Sequence, residues 1–221
     1  MTHASATRRT MLTTAMRCSG RAILVLTLAC APKAGSLKGT PAPARFPSAE
    51  LPPGNRRIVF RWNYIDQALA AKGDGVARVS APDSVRLDFF LDGGLGGGYA
   101  IVIGDSISTP GGDQVRRYLP PIALLWAALG RFAVPALPDT VAKIDGDALR
   151  ADIGRNPTYR VTFVGDRLTR LERIVDGRRL EWMSRSGQEI RYQNERSSRS
   201  LTLRISSSDA ASPFDPTIWR R

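Results

Sequence analysis

The chain has 221 residues, room for one ordinary domain or two small ones, and its 43% hydrophobic content is too high for a disordered polymer. It carries 32 Lys+Arg against 20 Asp+Glu, a formal net charge of +12. His3, Cys18 and Cys30 are the whole complement of histidine and cysteine, so from residue 31 onward a Cys nucleophile, a His base, a disulfide framework and a zinc site built on either residue are excluded.

Residues 1–21 hold Arg8, Arg9, Arg17 and Arg21 and no acid, and an apolar run over 22–29 follows. Eight residues span about 12 Å as a helix, far short of a ~30 Å hydrocarbon core, so the pattern reads as a secretory signal and not as an anchor helix. Leu28-Ala29-Cys30 resembles the lipobox of bacterial lipoproteins, departing from it at Thr27, where leucine is usual. The resemblance implies cleavage after Ala29 and lipidation of Cys30 with a diacylglycerol thioether and an acylated amine, palmitate-type chains enough for stable anchoring. Arg8-Arg9 also stands in a loose twin-arginine context, and a start at Met11 or Met16 would leave a complete signal in 16–29. Loss of residues 1–29 removes four arginines and no acid, leaving a net charge of +8.

Residues 30–55 follow as the lipidated cysteine and a tether: Pro32, Pro41, Pro43, Pro47, Pro52 and Pro53 lie among Ala, Gly and Ser with no hydrophobic period. Such a linker has an r.m.s. reach of roughly 25–30 Å. From residue 56 to 221 the pattern becomes a strand-rich domain. Ile58, Phe60 and Trp62 alternate with Val59 and Arg61, and the same period-two pattern recurs at 85–91, 99–103, 159–164 and 201–205. Alternation of this kind means antiparallel strands with one buried and one wet face. Gly165-Asp166, Asp176-Gly177 and Ser186-Gly187 fall at even spacing between strands, so 157–206 is expected to form a five-stranded meander. Earlier strands are expected at about 57–65, 75–80, 84–92, 98–104 and 106–110. Between the two groups, residues 120–132 start with Pro120-Pro121, continue Ile-Ala-Leu-Leu-Trp-Ala-Ala-Leu and reach Gly130, which reads as a short helix with no polar face.

Two stretches, 75–88 (GVARVSAPDSVRLD) and 118–130, look like the strand pair and central helix of LolA/LolB-like bacterial outer-membrane lipoproteins. The resemblance covers 56–206 and implies a mainly β fold, an unclosed antiparallel half-barrel with a short hydrophobic helix plugging the concave side. It implies a non-catalytic lipoprotein or lipid carrier or receptor that takes an acyl chain in an apolar concavity, with the helix at 121–132 as lid. It further implies an outer-membrane, periplasm-facing location through lipidated Cys30, and a periplasmic carrier protein as partner. A monomer is expected. The residues expected to line the concavity are Trp62, Phe89, Leu124, Leu125, Trp126, Leu129, Phe132, Tyr159 and Trp182. The same residues would serve equally as the core of a filled β-sandwich. Leu95, in the glycine loop 93–98, is the candidate for membrane contact beside its reading as a plain hairpin tip.

Other chemistry is poorly supported. The glycine loop precedes a strand, whereas a phosphate loop opens a helix, and no Gly-Lys-Ser/Thr occurs. Asp83, Asp88, Asp92, Glu172, Glu181 and Glu189 show no spacing that picks out a catalytic pair. No cofactor, metal or nucleic acid is expected. The 15 arginines from Arg150 to Arg221, with no lysine among them, alternate with apolar residues. They support an alternative: a structural envelope module that binds a polyanion or a protein through an arginine-rich sheet face.

Overall fold

The alternating segments assemble into a single antiparallel sheet. The structure, a computed structural model, describes residues 32–94, 96–110, 116, 119–135 and 137–220. The signal, Cys30 and Leu95 lie outside the described residues. The strands are β1 (Thr40–Ala42), β2 (Asn55–Ile65), β3 (Ala70–Ser80), β4 (Ser84–Leu91), β5 (Gly97–Ile103), β6 (Ser106–Ser108), β7 (Val141–Asp145), β8 (Ala148–Ile153), β9 (Thr158–Val164), β10 (Arg167–Val175), β11 (Arg178–Ser186), β12 (Glu189–Asn194) and β13 (Arg199–Ala211). Helix α1 (Ile122–Leu129) lies between β6 and β7.

Among the described residues the sheet runs β1-β7-β8-β9-β10-β11-β12-β13-β2-β3-β4-β5-β6. Two meanders are joined by the long β2–β13 pairing, from Asn55↔Ala211 to Ile65↔Ser200. Short β1 and β6 are the free edges, so the sheet stays open. The meander begins earlier than the alternation predicts. Strands β7 and β8 precede it, turning at Asp145-Gly146, and they are short and Ala-rich, which leaves them little hydrophobic contrast. At Asp176-Gly177 both residues adopt positive φ (51° and 70°), the primed turn that matches strand twist.

Residues 32–54, expected to be a tether, lie along the sheet instead. The Ala34 N–H donates to the Gly177 carbonyl at 2.8 Å and the Arg179 N–H to the Pro32 carbonyl at 3.0 Å. Strand β1 pairs with β7, Thr40 opposite Ile144. Phe46 packs on Phe132 and Phe163 with ring centroids 5.6 and 6.2 Å away, and Leu37, Ala49 and Leu51 are buried. The prolines set an extended backbone and remove donors that would need partners. The apolar residues of this strap are too far apart to show a period, which is why it reads as a linker.

Two core clusters share the concave side. One gathers Val161, Phe163, Leu171 and Met183 from β9, β10 and β11, and the other gathers Phe60, Trp62, Val79, Val85 and Val102 from β2 to β5. Helix α1 bridges them: Leu124 and Ala127 enter the first, Leu125 and Trp126 the second. Eight residues are too few for a stable isolated helix, so burial holds it. Gly130 (φ 95°) ends it, its N–H donating to the Ala127 carbonyl while the Arg131 N–H donates to that of Trp126.

Candidate functional site

The concave side, with α1 across it, is the candidate site. Trp126 is fully buried, and its indole N–H donates to the Gly104 carbonyl at 2.9 Å, tying the helix to the β5–β6 turn. Leu124 and Leu125 are buried on its two sides, and Leu129 is half-buried near the C-terminus. Trp62 and Phe89 meet edge to face at 5.8 Å in the second cluster. Phe132 packs on Phe163 at 5.5 Å, and Tyr159 lies at the margin of the first cluster.

Trp182 does not join them. Its neighbours Glu181 and Met183 face inward and are buried, so Trp182 points to the convex face. There its N–H donates to Glu195 Oε1 at 2.8 Å and the Arg170 guanidinium lies 4.3 Å above its ring. Trp182→Ala is expected to cost about 1–2 kcal/mol through the lost cation–π contact and hydrogen bond, and to leave any concave-side binding unchanged. A melting curve and a ligand titration check the two halves of that statement.

The apolar space left beneath α1 is small. A cavity of about 40 Å³ lies between Ile58, Phe60, Ala77, Leu87, Leu129, Ile190, Leu203 and Ile205, with Arg185 at its side. That is room for about one water molecule and far too little for an acyl chain. Larger clefts open at the two ends of the helix. The first, about 520 Å³, meets the helix N-terminus through Ile107, Leu119, Ile122 and Ala123 and carries Tyr159, Glu181, Tyr192, Asn194 and Arg199. The second, about 480 Å³, meets the C-terminus through Leu129 and Gly130 and carries Glu50, Asp166, Arg167 and Arg185.

The first cleft has a polar rim built around Glu181. Cross-strand register sets Tyr159, Arg173, Glu181, Asn194 and Arg199 in one row over β9 to β13. Glu181, only 4% exposed, accepts from Arg173 Nη1 and from the Tyr192 hydroxyl, each at 2.8 Å. Burial, reinforced by the Glu181 carboxylate, pushes the Tyr192 phenol above its usual range and keeps it a neutral donor. Glu181→Ala strands both donors and is expected to cost roughly 2–4 kcal/mol, read in a denaturant titration. Among the described residues no three His, Cys, Asp or Glu side chains gather as metal ligands.

The convex face carries the arginine rows. Arg150, Arg160, Arg170 and Arg179 line a cleft of about 500 Å³ with Thr162, Ser184 and Lys33 of the strap. These arginines face carboxylates: Arg160 grips both oxygens of Asp152 (2.7 and 2.8 Å), Arg170 meets Glu172 at 2.5 Å, and Arg179 and Arg150 meet Glu195 and Asp145 at 3.2 and 3.0 Å. Arg191 pairs with Glu189, whose carboxyl is held below its ordinary range by Arg191 first and also by Arg204. Ion pairs engage each of these arginines, while the buried Nε atoms of Arg150 and Arg179 have no hydrogen-bond partner.

At the sheet end that holds the β2–β3 and β4–β5 turns, Ile65, Leu69, Phe90 and Leu91 are exposed beside the glycine loop. Among the described residues no helix is long and apolar enough to cross a membrane.

The open sheet with α1 across its concave side has counterparts among solved structures. A LolA superfamily protein from Nitrosomonas europaea superposes with a TM-score of 0.51 over 79% of this chain and 93% of that one, at 10% identity. The fold is LolA-like. An outer-membrane lipoprotein-sorting protein domain from Vibrio parahaemolyticus gives 0.49 at 8% identity over 76% of this chain and 89% of that one. A DUF1329 family protein from Desulfovibrio piger gives 0.44 at 8% identity, over 76% and 90%. No protein-family model matches the chain, and no curated protein matches its sequence. At these identities the likeness extends to the LolA-like architecture alone.

Proposed function

We propose that the protein is a non-catalytic envelope carrier or receptor that takes an acyl chain of a lipoprotein or lipid into its concavity by displacing α1. The observation that carries this reading is the helix itself: Ile-Ala-Leu-Leu-Trp-Ala-Ala-Leu has no polar side chain, yet it lies between two clefts in the mouth of an open sheet. A helix of this composition is a stand-in for the ligand, filling apolar space when no acyl chain is present. The magnitudes permit exchange. A sixteen-carbon chain gains roughly 12 kcal/mol on leaving water, while re-exposing Leu124, Leu125 and Trp126 costs about 1.5–3 kcal/mol each.

In this reading lipidation of Cys30 holds the domain at the outer membrane on the periplasmic side. The glycine-loop end, with Leu95 and exposed Phe90 and Leu91, faces the bilayer. The partner is the protein or membrane that delivers the acylated molecule. The alternative, a polyanion-binding arginine face, has less support because the arginines of that cleft already face carboxylates. Titration of the purified protein with a fluorescent fatty acid, reading the probe's own emission, tests the proposal. Saturable binding with a change in that emission is expected, and absence of uptake contradicts it.

A further inference from the structure

Arg185 is out of place on the concave side. Strand β11 points Glu181, Met183 and Arg185 inward, and the cross-strand partners in Arg185's row are Ile190, Leu203 and Trp62. Glu181 has partners for its charge, but among the described residues Arg185 enters no ion pair and donates no side-chain hydrogen bond. The carboxylates that line its cleft are engaged or solvated: Glu50 faces Arg131 at 3.9 Å, and Asp166 is exposed. The charge acting on it is the like charge of Arg167, and burial together with that repulsion lowers the pKa of the guanidinium. Arginine nevertheless stays protonated at any physiological pH. The guanidinium lies against Gly130, where a Cβ would come within 2.2 Å of Nη1, so the end of the plug helix covers it. Arg185 and Leu129 are the two residues that line both the apolar cavity beneath α1 and the wider cleft at the helix C-terminus, and Arg185 is the charged one of the two.

A half-buried cation without a counter-ion, placed where an apolar slot meets a solvent cleft, is built for an amphiphile with one negative head. We propose that Arg185 is the headgroup ligand of the concavity, so that the cargo is a single-chain acyl anion, a fatty acid or a lysophosphatidate. The tail would replace Leu129 and its neighbours between β2, β3 and β13, and the head would supply the counter-charge that the chain does not. This inference rests on the acyl-binding reading and narrows it to a charged cargo.

The test compares cis-parinaric acid with its methyl ester, which share a chain and differ in charge, by fluorescence titration of the purified protein at pH 8. The wild type is expected to bind the acid at least tenfold more tightly than the ester. Arg185→Met should erase the preference by weakening the acid alone, and Arg185→Lys should keep most of it. Laurate or lauroyl lysophosphatidate should displace the acid, and the stronger competitor assigns the head. Equal binding of acid and ester by the wild type overturns the proposal without needing any variant, and so does an Arg185→Met protein that still prefers the acid. Binding of neither probe by the wild type overturns the acyl-binding reading itself. Methionine in place of an unpaired, half-buried cation is expected to leave the melting temperature unchanged or raised, which separates loss of the head contact from loss of fold.

Discussion

Trp126→Ala is expected to lower stability by about 3–5 kcal/mol, the cost of emptying a fully buried tryptophan site. For a domain of this size that is a fall of roughly 10 °C in melting temperature. The same change is expected to strengthen acyl uptake. If α1 must leave before a chain enters, the apparent affinity is the intrinsic one multiplied by the fraction of molecules with the plug displaced. Alanine removes the indole contacts with the second core cluster and the hydrogen bond to the Gly104 carbonyl, both of which hold the plug in. Stability and uptake therefore move in opposite directions. In a plain core they fall together, and a thermal melt beside a probe titration separates the cases. Glutamate at this position is a poorer choice, because it strands a charge among Trp62, Val85, Val102 and Leu125 and unfolds the domain.

The second large effect concerns the strap. Removing residues 32–54 takes away β1, the Phe46 ring on Phe132 and Phe163, and buried Leu37, Ala49 and Leu51. It also frees the Phe132 N–H, which donates to the Ala49 carbonyl at 2.7 Å, and so loosens the chain just past the helix. A protein that begins at residue 55 is expected to bind a hydrophobic dye and to melt more than 10 °C lower than one that begins at residue 32. Phe46→Ala in the longer chain isolates one contact, with an expected cost of about 2–4 kcal/mol for a partly buried phenylalanine. Equal melting curves for the two lengths would mean that the strap merely rests on the sheet.

These effects bear on what was legible in the sequence. Strands were legible wherever a wet and a dry face alternate, as in Arg57–Ile65 or Ser84–Leu91, since a period of two has few other causes. Helix α1 was legible because prolines precede it and a glycine follows. The strap was not, because Phe46 stands alone among prolines and finds its ring partners, Phe132 and Phe163, far along the chain. Trp182 misleads for a different reason: a large aromatic usually faces inward, and here Arg170 and Glu195 give it a place on the wet face. Arg185 shares the phase of Met183, but which phase of β11 is buried depends on its pairing with β10, where Leu171 meets Met183. How much space is left beneath the helix was equally hidden, since a filled core and a plugged concavity demand the same apolar residues.

The concavity is expected to receive an acyl chain. Native mass spectrometry of the purified chain from residue 32 onward, repeated after solvent extraction, tests it most directly. A bound acylated molecule in a one-to-one ratio is expected, or, in a protein stripped of lipid, one-to-one uptake of added fatty acid. A protein that is empty as isolated and stays empty with fatty acid in excess would contradict it, and α1 would then be an ordinary part of a filled core.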